Sequence, residues 1–276
     1  EAGIRASVAS RGRGDVYKRQ IERSRKELTL DGGSTVPYDK LLLAMGASPV
    51  SPPIEGVDLD GVTPCWTLRD ARRIGSSLKP GAKVVLMGAG FIGCIILEAL
   101  AKSGADLTVV ELEDRMVPRM MNDTAGGLIK DWCGENGVAV HTSTQVVGIE
   151  PNGKALRVNL KSGQVLDADL VVSATGVRPN VDLVAGTGIE IDHGGLVNRH
   201  LQTNDPDVFA AGDVAQGIDA SPGEYSVQAI QPTAVDHGHL AARNKAGLAG
   251  AEHQGSVNMN VLRLLVIISL DLQDQP

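Results

Sequence analysis

Short runs of consecutive apolar residues recur along the chain, separated by stretches in which apolar positions return at helical spacing. Val84-Val85-Leu86-Met87 is one such run. The sequence then enters Gly88-Ala89-Gly90-Phe91-Ile92-Gly93 and continues as an apolar helix to Ser103, where Gly104 supplies a stop. Leu107-Thr108-Val109-Val110 follows as a second strand and ends on Glu111. Strand, glycine turn, helix, strand and terminal acid make one unit around which the remaining pattern is arranged.

Upstream, residues 26–37 predict a hairpin turning at Asp31-Gly32-Gly33, and residues 38–44 a strand buried on both faces that ends at Met45-Gly46-Ala47. Residues 48–61, rich in Pro and Gly, read as a linker. Thr67 with Asp70 matches a capping box opening a helix to about Leu78, and Lys79-Pro80-Gly81 marks a domain boundary. Downstream, Asn122 or Asp123 caps a helix to about Glu135, stopped by Asn136-Gly137, and residues 138–141 form a short strand. Residues 145–150, 155–160 and 164–166 alternate as a β-meander, and residues 170–174 are another buried strand. Val208-Phe209-Ala210-Ala211 leads as a strand into Gly212-Asp213, and residues 228–244 suit a helix after Pro232. Two segments end alike, Leu43-Ala44-Met45-Gly46 and Ser173-Ala174-Thr175-Gly176, a faint internal repeat.

Composition narrows the class. The 276 residues allow one large or two ordinary domains. Apolar content of 42% with only 3% aromatics makes the core aliphatic, as in parallel sheets buried by helices. A net charge of −7 argues against nucleic acid or an anionic membrane as the main partner. Cys65, Cys94 and Cys133 form no CxxC, so a reducing, cytoplasmic compartment is expected, with no disulfide framework. Cys94 stands at a helix start, where a thiol pKa can fall, but a small buried filler is the simpler reading. No HExxH or comparable cluster suggests a metal. Val261 to Leu270 is too short to span a bilayer and contains Arg263. Residues 1–20, basic and without apolar period, look like a translated linker and are set aside from the fold.

The central unit has the chemistry of a dinucleotide site. Gly88 allows a tight turn, Gly90 lets backbone approach a pyrophosphate, and Gly93 lets the helix pack against the strand. Amides at Ala89, Phe91 and Ile92, with the positive end of the helix dipole, face the phosphates. Glu111 follows Gly93 by 18 residues, close to the roughly 20 expected for the acid that accepts hydrogen bonds from the adenine ribose. A carboxylate there favours NADH, while Arg115 leaves NADPH as the lesser candidate.

Four landmarks then occur in a recognisable order: Ala44-Met45-Gly46, the Gly88 to Gly93 loop with Glu111, Ala174-Thr175-Gly176 followed by Val177-Arg178-Pro179-Asn180, and Ala210-Ala211-Gly212-Asp213. From residue 28 to 250 the chain resembles the pyridine nucleotide-disulfide oxidoreductase-like FAD/NAD(P)H reductases. The resemblance implies an α/β, two-dinucleotide-binding-domain flavoprotein, with a Rossmann-like NAD domain (residues 81–177) inserted in an incomplete FAD domain (residues 21–80 and 178–250). Residues 251–276 would begin a C-terminal interface domain, through which such proteins associate. It further implies FAD and NADH as cofactors, Ala44, Gly46, Ala174, Thr175, Gly176, Gly212 and Asp213 at the cofactors, and Ala229-Ile230-Gln231-Pro232 as a helix start approaching the flavin. Hydride would pass from NADH to flavin, and electrons then to a small molecule or small redox protein. Residues 229–247 look most like the NADH oxidase, nitrite reductase flavin-domain and ferredoxin or rubredoxin reductase branch. A redox-responsive interaction protein of the apoptosis-inducing factor type is the alternative.

Three departures bear on that expectation. The first FAD-binding GxGxxG is absent, since Gly12 and Gly14 lie in the set-aside leader, so these 276 residues alone are expected to be inactive. Ile95 stands where relatives often carry a Glu near the nicotinamide. The family's redox cysteine, where it occurs, would precede residue 21, and residues 261–276 lose the family pattern.

Overall fold

The computed structural model describes residues 18–30, 32–220, 223–248, 251–257, 259–265 and 267–272. Most of the set-aside leader, with Gly12 and Gly14, lies outside them. The described residues fall into two compact units, one within residues 18–48 and 178–257, the other within residues 49–177 and 259–272.

The 49–177 unit is built on a five-stranded, all-parallel sheet in the order Val62–Pro64, Leu170–Ser173, Lys83–Met87, Asp106–Val110, Ala139–His141. Its three central strands are mainly apolar because both faces are covered. Val84 and Leu86 point to one side, where α1 (Leu68–Ser77), α2 (Phe91–Lys102) and α3 (Asp123–Glu135) bury Ile74, Leu97, Leu100 and Ile129. Val85 and Met87 point to the other, against Val158 and Leu160 of the meander Val146–Asn152, Ala155–Leu160, Val165–Ala168. The caps match the sequence: Thr67 Oγ1 accepts from the Asp70 amide at 3.2 Å and the Thr67 amide donates back to Asp70 at 2.7 Å. Asn122 caps α3 by accepting from the Ala125 amide at 2.9 Å.

Residues 49–80 group with this unit, because Val62–Pro64 joins the parallel sheet and the Ile149 amide donates to Glu55 O at 2.9 Å. Met259–Leu264 and Ile267–Leu272 form a hairpin grouped with this unit, with Leu262 and Leu264 buried in the α2 core and the Trp132 ring nitrogen donating to Leu265 O at 3.2 Å. The cause is α2 itself, apolar nearly all round and so in need of cover on its outer face.

In the other unit, Leu41–Leu43 runs parallel to Val208–Ala210, pairing Leu41 with Val208 and Leu43 with Ala210. The antiparallel strands Lys18–Glu22, Glu27–Leu30 and Thr35–Pro37 lie in the same unit, with Ile21 buried, so the leader limit drawn at residue 20 cuts through a strand. A fourth helix, α4 (Gln231–Lys245), starts one residue before Pro232, which fits the first helical turn because it has no amide to satisfy.

Candidate functional site

The glycine turn sits at the carboxyl end of Lys83–Met87, where the chain order on the sheet reverses between that strand and Leu170–Ser173. Open α/β sheets bind ligands at such a crevice. The three glycines are required for different reasons. Gly88 has φ +95°, and a Cβ there would lie 2.5 Å from Ala174 O. A Cβ on Gly93 would lie 2.2 Å from Gly88 O, so α2 can approach the strand only with glycine. A Cβ on Gly90 would meet nothing within 4 Å, and α2 begins there without a side-chain cap. Among the described residues nothing requires glycine at position 90, where the loop is open beside the first amides of α2, at Phe91 and Ile92.

Glu111 is buried and turned back toward this loop. One carboxylate oxygen accepts from the Ala89 amide at 2.5 Å and the other from the Glu113 amide at 2.9 Å. Each oxygen keeps a second lone-pair direction, so the acid both fixes the loop and can accept from ribose hydroxyls. Arg115 is already engaged: Asp114 at 2.8 Å, Asp123 at 2.7 Å and Met121 O at 2.9 Å take its guanidinium. Two supports carry no sequence signal. Val117, at φ +50°, donates to Ala89 O at 2.8 Å, and Ser143, at φ +55°, donates to Glu113 O at 2.7 Å, backing the acid from the neighbouring strand end.

Ala174, Thr175 and Gly176 complete this side. Thr175 Oγ1 donates to Val50 O at 3.1 Å and Gly176 O accepts from the Val50 amide at 2.9 Å. A narrow groove beside Ile92 is lined by Cys65, Trp66, Ala174 and Gly176. Cys94 lies fully buried behind the loop, and burial drives its thiol pKa far up, so it is filler rather than a reactive thiol. Ile95 is exposed on α2. Among the described residues no cluster of three His, Cys, Asp or Glu side chains could hold a metal, and no helix is long and apolar enough to cross a membrane.

The remaining candidates gather in the other unit. Ala44 is exposed and Gly46 has φ +65° with open space around it; Asn180 holds this turn, donating from its side chain to Met45 O at 2.8 Å and from its amide to Gly46 O at 2.9 Å. The Ala211 amide donates to Leu43 O at 3.0 Å, which brings Gly212 and Asp213 beside that turn. Burial raises the Asp213 carboxyl above its ordinary range, its own amide opposing, and no charged neighbour contributes. A desolvated acid of this kind suits neutral hydroxyl donors. Ala229 is exposed and Ile230 is the N-cap of α4, again without a side-chain cap.

A parallel sheet with a glycine turn at its switch point and a buried acid at the next strand end defines a dinucleotide-binding α/β protein. Residues 8–238 match the family described as pyridine nucleotide-disulphide oxidoreductase, and the chain belongs to that family. It is 34% identical over 257 residues, 93% of this chain, to the NADH-dependent phenylglyoxylate dehydrogenase subunit epsilon of Aromatoleum evansii, covering 60% of that protein. With rhodocoxin reductase of Rhodococcus erythropolis it shares 35% identity over 83% of this chain and 54% of the relative. A solved FAD-dependent pyridine nucleotide-disulphide oxidoreductase from Desulfovibrio vulgaris superposes with a TM-score of 0.81 at 32% identity, over 91% of this chain and 65% of that one. The chain thus spans less than two thirds of each. The fold is that of the two-dinucleotide-binding reductases, as the landmarks implied.

Proposed function

We propose that the chain belongs to an FAD-dependent oxidoreductase that takes hydride from NADH and passes electrons to a small molecule or small redox protein. The observation that carries the reading is the glycine turn, where Gly88 and Gly93 are fixed by the protein's own packing and Gly90 is left open toward the crevice. FAD is supported by the Ala44-Met45-Gly46 turn, exposed at Ala44, beside Asp213 and by the name of the Desulfovibrio protein; the acceptor class is supported by the name rhodocoxin reductase.

When bound, FAD supplies the two-electron acceptor for the hydride. The chain's own residues bind and align. Amides of the Gly90–Ile92 turn hold the diphosphate, Glu111 accepts from the adenosine ribose, and Asp213 accepts from FAD hydroxyls. Coenzyme choice follows from charge. A 2′-phosphate would face the Glu111 carboxylate, and the nearby cation, Arg115, is held by Asp114, Asp123 and Met121 O.

Fluorescence titration tests this directly. NADH should bind the folded chain at least about tenfold more tightly than NADPH, a difference of about 1.4 kcal/mol; equal affinities would remove the role given to Glu111.

A further inference from the structure

The most unusual polar group outside the nucleotide site is His237. It lies on α4, is 3% exposed, and among the described residues neither ring nitrogen has a hydrogen-bond partner. Its ring meets that of His253, edge-on at 84° with centroids 4.7 Å apart. His253 belongs to a segment, residues 251–257, that is laid across the same unit without strand or helix of its own. The segment is tied at several points: its His253 amide donates to Arg199 O at 2.7 Å, Asn244 donates to Ala251 O at 2.9 Å, and the Ser256 amide donates to Ile218 O at 3.1 Å. The two imidazoles meet within this attachment, and His253 Nε2 also lies 3.4 Å from Ser256 Oγ.

We propose that His237 and His253 form a proton-sensitive latch, closed when both rings are neutral and opened in mild acid, which docks the 251–257 segment onto α4. The balance of surrounding charge supports this. Asp236, beside His237 on α4, favours protonation of both rings; Arg199 opposes it at His253, and the His253 ring opposes it at His237. Glu252 is turned to His200 at 3.8 Å, and the Asp219 carboxylate accepts from Gln228 and Ser226. A proton on His237 would therefore sit buried without an acceptor, a state that protein interiors avoid.

The sign follows. Burial lowers His237 from 6.5 to about 4 and lowers His253 in the same direction. The docked state is fully favoured above the ordinary histidine range and loses that advantage as pH falls toward the docked pKa. From pH 7 to pH 5, His237 alone makes opening about 20-fold more frequent, by linkage between 6.5 in the open state and about 4 in the closed one.

Amide hydrogen exchange on the full chain reads this opening, after division by intrinsic rates and with α2 amides as the control. Protection at His253 and Ser256 should fall about 20-fold between pH 7 and pH 5 while α2 is unchanged, and His237→Phe, which keeps the ring contact without the proton site, should flatten that dependence. Equal pH dependence in both proteins, or an equal fall in α2, would overturn the latch. Should His237→Phe not fold, titration of the His237 ring in the unsubstituted chain by NMR decides: a midpoint well below 6.5 supports the latch, and an ordinary midpoint overturns it.

Discussion

Glu111 has a double task, and the two parts can be separated experimentally. Its carboxylate ties the Ala89 and Glu113 amides together, shaping the loop, and the proposed second part is to accept from the adenosine ribose. Glu111→Ala should weaken NADH binding by about 1 to 3 kcal/mol, the loss expected for charge-assisted hydrogen bonds; an unchanged titration curve would leave the acid a purely structural role. This residue was legible in the sequence because both its position after the strand and its distance from Gly93 have a physical cause. Val117 and Ser143 were not. Each adopts a positive φ that its residue type disfavours, imposed by backbone bonds from parts of the chain that no local pattern reveals.

At the scale of elements, α1, α2 and α3 agree with their sequence signals nearly to the residue, since caps and glycine stops act locally. The strands around the site were legible as apolar runs for the same reason. Val62–Pro64 was not, because three residues after a Pro- and Gly-rich stretch carry no period; only their pairing with Leu170–Ser173 makes them a strand. Helix-to-strand contact at the turn gives the sharpest expectation at this scale. Gly93→Ala would press a methyl onto Gly88 O, where backbone cannot yield, and should cost about 3 kcal/mol in denaturant unfolding. A loss under about 1 kcal/mol would mean that α2 is not held as closely as described.

For the whole molecule, the order of landmarks was more informative than any one of them. Ala44-Met45-Gly46, the central loop, Ala174-Thr175-Gly176 and Gly212-Asp213 fall into two groups, one in each compact unit, as two nucleotide-binding folds require. The unit limits were less legible, because membership depends on long-range partners: Val62–Pro64 is claimed by the parallel sheet, and Leu262 and Leu264 by the α2 core. The account rests on Gly90 being glycine for the sake of a ligand. Titration of NADH against the unsubstituted chain and Gly90→Ala, followed through the two tryptophans, tests this most directly. The variant should keep its unfolding free energy within about 1 kcal/mol, since the added methyl meets no protein atom within 4 Å, yet bind NADH at least about tenfold more weakly. Equal NADH affinity in the two folded proteins, or no saturable binding to the unsubstituted chain, would contradict it.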